Sequence, residues 1–287
     1  MGTSRGTVQQ VARYRGPPCR RRGAAAGAVV GTLCSRRLKL ALIPSRRHAR
    51  CASCTPTLSR ILHVSHAPAI EAEFAKHIRA ESFPCLAAKG VFNSGGHDVH
   101  VYGELISLRS ARRMASDLRR FATDSRATEG WMKSFVAIFP HHAPENEETF
   151  ERGMWTLLQN LHDCEPADSS WDASVSSDPA EADFSFSFAG VAMFVVGMHA
   201  ASSRLARRFQ HPAIVFNPRA QFDRLRANGR FERLRAVVRD REVALQGSIN
   251  PNLADFGEAS DARQYSGRAT ESEWQCPFRP RPLQLNP

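Results

Sequence analysis

Acidic residues are absent from the first 70 positions of the sequence. This segment carries 13 of the 39 lysines and arginines and neither aspartate nor glutamate. The rest of the chain has 26 basic and 28 acidic side chains, so the net charge of +11 comes entirely from this tail. A nucleic-acid-binding domain carries its basic residues on its folded surface. We therefore expect no nucleic acid to bind the body, whereas binding of nucleic acid through the tail is an alternative.

Long hydrophobic runs are also lacking. The apolar run at residues 24–33 is shorter than the roughly 20 residues that a membrane-spanning helix needs, so no membrane partner is expected. The whole sequence has four lysines and 35 arginines, an excess of arginine that is typical of translated GC-rich DNA. Residues 1–67 are predicted to be a disordered arginine-rich tail, arising from an over-extended start site or serving as a targeting segment.

Cysteines are too few and too scattered for a disulfide framework. Of the seven, only Cys85, Cys164 and Cys276 lie in the body, which favours a reducing compartment and a cytoplasmic location. Cys51 and Cys54 have the spacing of a metal-binding pair, but no second pair follows at the distance a zinc site needs. We expect no metal there.

Several catalytic motifs are missing as well. The sequence contains no GxGxxG after a strand, no GxxxxGK[ST], no HExxH and no GxSxG. These absences argue against a dinucleotide fold, a P-loop enzyme, a zincin and an α/β-hydrolase. His97 and His100, with His141 and His142, are a weak alternative as ligands of a non-haem metal.

Hydrophobic periodicity predicts a single α+β domain over residues 68–282, followed by a short C-terminal tail at 283–287. Its sheet is expected to be mixed or antiparallel with flanking helices. Pro68 suits the first turn of a helix, and Asn146 suits a helix cap. The predicted strands are residues 134–139, 184–188, 191–198 and 213–216, of which the second and third form a hairpin.

Several short runs in the body, taken together, carry a resemblance to a known family. They are Phe83-Pro84-Cys85, Gly197-Met198-His199, Phe216-Asn217-Pro218, residues 246–251, residues 262–268 and residues 274–278. In combination they resemble the YqcI/YcgG family over about residues 70–280. The sequence departs from that pattern at Asn217-Pro218-Arg219, where the family often has a second histidine, so no role of that histidine transfers.

The resemblance implies a haem-b-dependent oxygenase. Characterised relatives hydroxylate a guanidine nitrogen of arginine or an arginine-like amino acid, in pathways that include those to guanitoxin and D-cycloserine. The implied partners are a small-molecule amino-acid substrate, dioxygen and a separate reductase, because the chain carries no flavin or nicotinamide signature of its own. A non-catalytic haem-binding sensor is the alternative.

Given the resemblance, a haem needs an axial ligand and cations for its two propionates. His199, at the end of an apolar strand, is the expected ligand, with the thiols of Cys276 and Cys85 as alternatives. Guanidinium groups bind carboxylates in bidentate geometry. The arginines expected to hold propionates or the substrate carboxylate are Arg204, Arg207, Arg208, Arg263 and Arg268.

A guanidinium substrate needs a carboxylate partner near the iron. Asp255, Glu258 and Asp261 lie close together in the sequence and are the predicted partners. Tyr265 is one of three tyrosines, and it is expected to donate a proton to iron-bound oxygen. For each of these residues a purely structural role is the alternative.

Overall fold

The computed structural model describes residues 66–127, 132–255 and 257–281, and all of them belong to one compact unit. Residues 1–65 of the predicted tail, with Cys51 and Cys54, and residues 282–287 lie outside the described residues. The described part is an α+β fold built on a five-stranded sheet. The strands are β1 (His97–Val101), β2 (Ser134–Ile138), β3 (Phe186–Phe188), β4 (Val191–Met198) and β5 (Ala213–Pro218).

The sheet is mixed, as the sequence predicts. The strand order is β1-β2-β5-β4-β3, in which β1 and β2 are parallel and every other neighbouring pair is antiparallel. The predicted hairpin of β3 and β4 is confirmed. Its turn places Ala189 at φ 51° and Gly190 at φ 69°, the left-handed pair that a two-residue hairpin of type I′ requires.

Seven helices surround the sheet in the described ranges. They are α1 (Ala67–Arg79), α2 (Leu86–Asn93), α3 (Leu108–Ala127), α4 (Glu147–Asp163), α5 (Ala220–Ala227), α6 (Phe231–Gln246) and α7 (Ala262–Tyr265). Pro68 lies in the first turn of α1, as predicted. Asn146 caps α4 reciprocally with Thr149, so both ends of a capping box are present.

The two faces of the sheet are covered differently. Along β4, alternate side chains point to opposite faces. Val195 packs into the larger core with α3 and α4, whereas Met198 packs into a second core with Phe74 and Ile78 of α1. The face toward α1 and α2 is less completely filled, because Phe194 and Val196 are only half-buried there.

Two elements that the sequence did not predict, α2 and β1, lie near the histidines of the weak alternative metal site. Helix α2 was not predicted, and His97 and His100 lie within strand β1. His97 stacks on Phe92, while the Nε2 atom of His100 lies 2.9 Å from Asp98 Oδ1. Within the described ranges, no cluster of three or more His, Cys, Asp or Glu side chains is arranged to hold a metal ion.

The described helices were also compared with the length and hydrophobicity of a membrane-spanning helix. Among the residues that the structure describes, no helix combines the length and the apolar character needed to cross a bilayer.

Candidate functional site

Two cavities lie on the incompletely filled side of the sheet. The first, here called the sheet cavity, separates β4 and β5 from α1 and α2 and has a volume of about 240 Å³. The second, here called the helix cavity, lies among α5, α6, residues 253–255 and residues 261–264 and has the same volume, about 240 Å³. Their common wall consists of Cys85, Ala87, Phe194, Phe222, Val238 and Glu242.

A third and smaller cavity of about 90 Å³ adjoins them. Phe194 and Glu242 line all three cavities, so these two residues mark the point where they meet. Ligand sites of small molecules and cofactors usually occupy about 300–1,000 Å³. The cavities reach that size only in combination, which points to one composite site around Phe194 and Glu242.

Cys85 places a thiol in the common wall. It is the N-cap residue of α2, where its Sγ atom accepts a hydrogen bond from Ala88 N at 3.5 Å. The preceding Pro84 also lines the sheet cavity. Burial in this apolar environment raises the pKa of the Cys85 thiol, so the free side chain is a neutral thiol at pH 7.

Helix α6 forms the outer wall of the helix cavity without being buried itself. None of its residues is buried, and its apolar side chains Phe231, Leu234 and Val238 line the cavity. An amphipathic helix ordinarily buries its apolar stripe against the core. The helix therefore stands over an open space with apolar walls, which suits a bound ligand.

The helix cavity is rich in guanidinium groups, and they belong to a set that the sequence analysis missed. The four are Arg219, Arg226, Arg235 and Arg239. Arg219 forms a buried ion pair with Asp261, with 2.5 Å between Nη1 and Oδ2. Arg226 pairs with Asp223 at 2.9 Å. Arg235 pairs with Glu232 and Asp255, so of the four only Arg239 lacks a carboxylate within hydrogen-bonding distance among the described residues.

Of the five arginines expected to bind carboxylates, only Arg204 and Arg207 line these cavities. Arg204 donates to the Ser248 carbonyl at 2.8 Å and to its hydroxyl at 3.1 Å. Arg207 is partly buried and donates to three backbone carbonyl groups, those of Gly197, Gln264 and Tyr265. Burial lowers the pKa of Arg207 to about 10. Both guanidinium groups thus hold the protein together at the cavity edge.

The other three arginines lie away from the cavities. Arg208 lines a separate open groove, where its Nε atom donates to the Ser202 carbonyl at 2.6 Å. Arg263 donates to backbone carbonyl groups of residues 271–274, and Arg268 forms an ion pair with Glu151 at 2.8 Å. Their donors serve internal contacts, so the structure does not bring them to the composite site.

His199 lies on the opposite side of the sheet from the cavities. It continues the alternation of Val195 and Gly197, and its ring stacks on Phe150 of α4 with centroids 4.1 Å apart. A Cβ atom at Gly197 would lie only 2.6 Å from the same Phe150 ring. The imidazole is fully buried, neither ring nitrogen has a hydrogen-bond partner in the described part of the chain, and burial lowers its pKa to about 4. Its role as an axial ligand stays a prediction, because it lines none of these cavities.

Cys276 and Tyr265 also lie within the larger core, on the side of α4. Cys276 is buried, and this burial raises its pKa to about 12. The Tyr265 hydroxyl accepts a hydrogen bond from Phe186 N at 2.9 Å and donates to the Met193 carbonyl at 3.3 Å. Both of its hydrogen-bonding functions are used, which is the structural role left open by the sequence.

The three predicted carboxylates divide between the cavity and the surface. Asp255 and Asp261 line the helix cavity, whereas Glu258 does not and instead accepts a hydrogen bond from Asp255 N at 3.0 Å. Asp255 forms a very close ion pair with Arg235, which lowers the pKa of its carboxyl. The Asp261 carboxylate accepts a hydrogen bond from the Arg219 guanidinium group.

Glu242 is the cavity carboxylate that the sequence analysis missed. Its nearest cation is Arg204, 3.7 Å from its Oε2 atom, which is beyond hydrogen-bonding distance. The only available signal was its place on α6, one turn beyond Val238 on the same side of the helix. That signal does not distinguish a cavity wall from a solvated helix face.

Comparisons with known proteins show which family the chain belongs to. The family model described as the YqcI/YcgG family matches residues 74–279, which span the sheet and all the cavity walls. The chain is also similar to a Bacillus subtilis (strain 168) protein named "Uncharacterized protein YqcI", with 30% identity over 212 residues. That similarity covers 70% of this chain and 82% of the relative. No solved structure matches the chain. The chain belongs to the YqcI/YcgG family.

Proposed function

We propose that the protein is a haem-dependent oxygenase that hydroxylates a guanidine nitrogen of an arginine-like amino acid. The observation that carries the proposal is the thiol of Cys85 in the wall of an apolar cavity system bounded by arginines. The oxygenase chemistry itself follows from the family resemblance noted in the sequence. A cytoplasmic location and a separate reductase as electron donor are parts of the same proposal.

The residues present fit a haem in the composite site. Phe194, Val196 and Phe222 offer apolar surface to a macrocycle. Arg239, on the helix-cavity side, offers positive charge to a propionate. Cys85, on the common wall, offers a donor atom for iron. We therefore propose Cys85 as the iron ligand in place of His199. The sequence had indicated Cys85 only as an alternative.

A buried neutral thiol is compatible with this role. Metal binding displaces the proton of a coordinating thiol outright, so the raised pKa of Cys85 makes ligation dependent on pH without preventing it. A haem with a thiolate ligand supplies activation of dioxygen by favouring O–O cleavage. Cys276 is a weaker candidate because it lies in the larger core and lines none of the cavities described above.

The substrate end of the site is assigned to Glu242. Asp255 and Asp261 already hold arginines of the protein, whereas the Glu242 carboxylate has, among the residues that the structure describes, only the long contact to Arg204. A carboxylate with unused acceptor capacity at the meeting point of the cavities suits the planar cation of a guanidine group. Its role is to hold and orient the nitrogen that is hydroxylated.

The test is a reconstitution of the full chain with haem followed by an oxygen-consumption assay. We expect one haem per chain, oxygen uptake that depends on L-arginine or a close analogue together with a reductase, and a product heavier by one oxygen atom. Stoichiometric haem without substrate-dependent uptake for any guanidine compound would instead identify a haem-binding sensor. Absence of haem binding would contradict the proposal altogether.

A further inference from the structure

The arginines of the helix cavity differ in how fully their donors are used. Arg219 is bound to Asp261, and Arg226 is bound to Asp223 and also lies over the Phe231 ring, 4.2 Å from its centroid. Arg235 forms close contacts with both Asp255 and Glu232. Each of these three guanidinium groups therefore has a carboxylate within hydrogen-bonding distance.

Arg239 has no such partner among the described residues. Its nearest carboxylate oxygen is Asp255 Oδ1, 3.9 Å from Nη2, and that carboxylate already binds Arg235. The Nε atom of Arg239 is shielded from solvent and has no hydrogen-bond partner within the described ranges. A buried donor of this kind carries a desolvation cost that a ligand acceptor would remove.

Arg239 also lies close to another cation. Arg235 and Arg239 are one helical turn apart on α6, a spacing at which like charges repel each other. Among the described residues, Arg235 pairs with both Glu232 and Asp255, whereas Arg239 has only the longer contact of 3.9 Å to Asp255. An additional carboxylate placed beside Arg239 would relieve the repulsion and satisfy the buried Nε donor.

We propose that Arg239 binds a carboxylate of the ligand that occupies the helix cavity. This inference rests on the proposed function, which supplies two ligands that carry carboxylates: the haem, through a propionate, and the amino-acid substrate, through its α-carboxylate. The chemistry of recognition is the same in both cases, a charge-assisted contact between a guanidinium and a carboxylate.

The experiment compares Arg239→Gln with Arg233→Gln in the full chain. Arg233 is an exposed residue of the same helix that does not line the cavity, so its variant controls for the loss of charge on α6. Four probes separate the two sources of carboxylate. They are haem and haem dimethyl ester, titrated into haem-free protein, and L-arginine and agmatine, titrated into haem-loaded protein.

If Arg239 binds a propionate, Arg239→Gln weakens haem binding about 10-fold or more and leaves the binding of the dimethyl ester unchanged. If it binds the substrate, affinity for L-arginine falls by a similar factor, while agmatine, which lacks the carboxylate, binds as before. Unchanged affinity for all four probes, or an equal loss in Arg233→Gln, overturns the inference and leaves the proposed function standing. A wild-type protein that binds neither haem nor L-arginine contradicts the proposed function, and the role of Arg239 with it.

Discussion

The His199 imidazole stacks on the Phe150 ring at a centroid distance of 4.1 Å, on the face of the sheet that lies away from the cavities. The alternation of β4 fixes this placement. The side chains of Val196 and Met198 point toward the sheet cavity, whereas Gly197 and the His199 side chain face α4. A histidine that ends an apolar strand is here a buried aromatic contact, and the thiol on the cavity side becomes the candidate ligand.

A pH dependence of stability follows from the burial of His199. Burial holds its pKa at about 4 in the folded protein, below the ordinary 6.5, so the unfolded chain takes up a proton at a higher pH than the folded one. The contribution to stability is complete above pH 6.5 and falls as the pH drops toward 4, by up to about 3 kcal/mol. We expect His199→Phe, which keeps an aromatic ring, to lose less stability than the wild type over this pH window.

The measurement is the free energy of unfolding in urea between pH 4 and 8, with His141→Phe at an exposed position as the control. Parallel curves for wild type and His199→Phe would contradict the burial argument. A changed haem spectrum in the same variant would restore His199 as an iron ligand.

The Arg219–Asp261 ion pair is predicted to be structural. Its side chains are 6% and 3% exposed, and removal of one partner from a buried pair costs about 3 kcal/mol or more. We expect this loss in Asp261→Asn, measured by chemical denaturation. Asp223→Asn is the matched control, because Asp223 pairs with Arg226 while 57% exposed and should contribute less than about 1 kcal/mol. Equal small losses in both variants would show that the buried pair contributes little.

The Tyr265 hydroxyl is predicted to contribute to stability and to have no part in proton transfer. Tyr265→Phe leaves the Phe186 N–H without its acceptor, which costs about 1–3 kcal/mol. Substrate-dependent oxygen uptake and the haem spectrum are expected to remain those of the wild type. A variant of normal stability with strongly reduced oxygen uptake would instead support the role of proton donor expected from the sequence.

Glu242 is predicted to select the cationic end of the substrate. In Glu242→Gln we expect affinity for L-arginine to fall about 10-fold or more, because a charge-assisted contact is lost. Citrulline is nearly the same shape and its ureido group is neutral, so its affinity should be unchanged. Both are measured by titration of haem-loaded protein, with haem content as the check on the site. Equal changes for the two compounds would contradict the assignment.

The sequence predicts the scaffold better than the site, and particular elements show why. Local signals were sufficient for α1, α4 and the β3–β4 hairpin, because Pro68, the Asn146 cap and the strict alternation of residues 184–188 act over a few residues. Helix α2 was missed because its eight residues carry only two buried side chains, Val91 and Phe92.

The candidate site depends on contacts that sequence spacing does not contain. Cys85 and Glu242 line the same two cavities because α2 and α6, far apart in the chain, lie on the same side of the sheet. The arginines predicted from a cluster near His199 donate hydrogen bonds to backbone carbonyl groups of the protein, as Arg207 does to Gly197. Which arginine keeps a free donor is decided by tertiary pairing, and only the folded structure reveals it.

Ligation of haem iron by Cys85 in the composite cavity is best tested by the absorption spectrum of the haem-loaded protein, reduced under carbon monoxide. The position of the carbon monoxide band distinguishes a thiolate from an imidazole ligand. We expect a thiolate-type band in the wild type and in Cys276→Ser, and its loss in Cys85→Ser. An imidazole-type band that survives in Cys85→Ser, or a wild-type protein that binds no haem, would contradict the account.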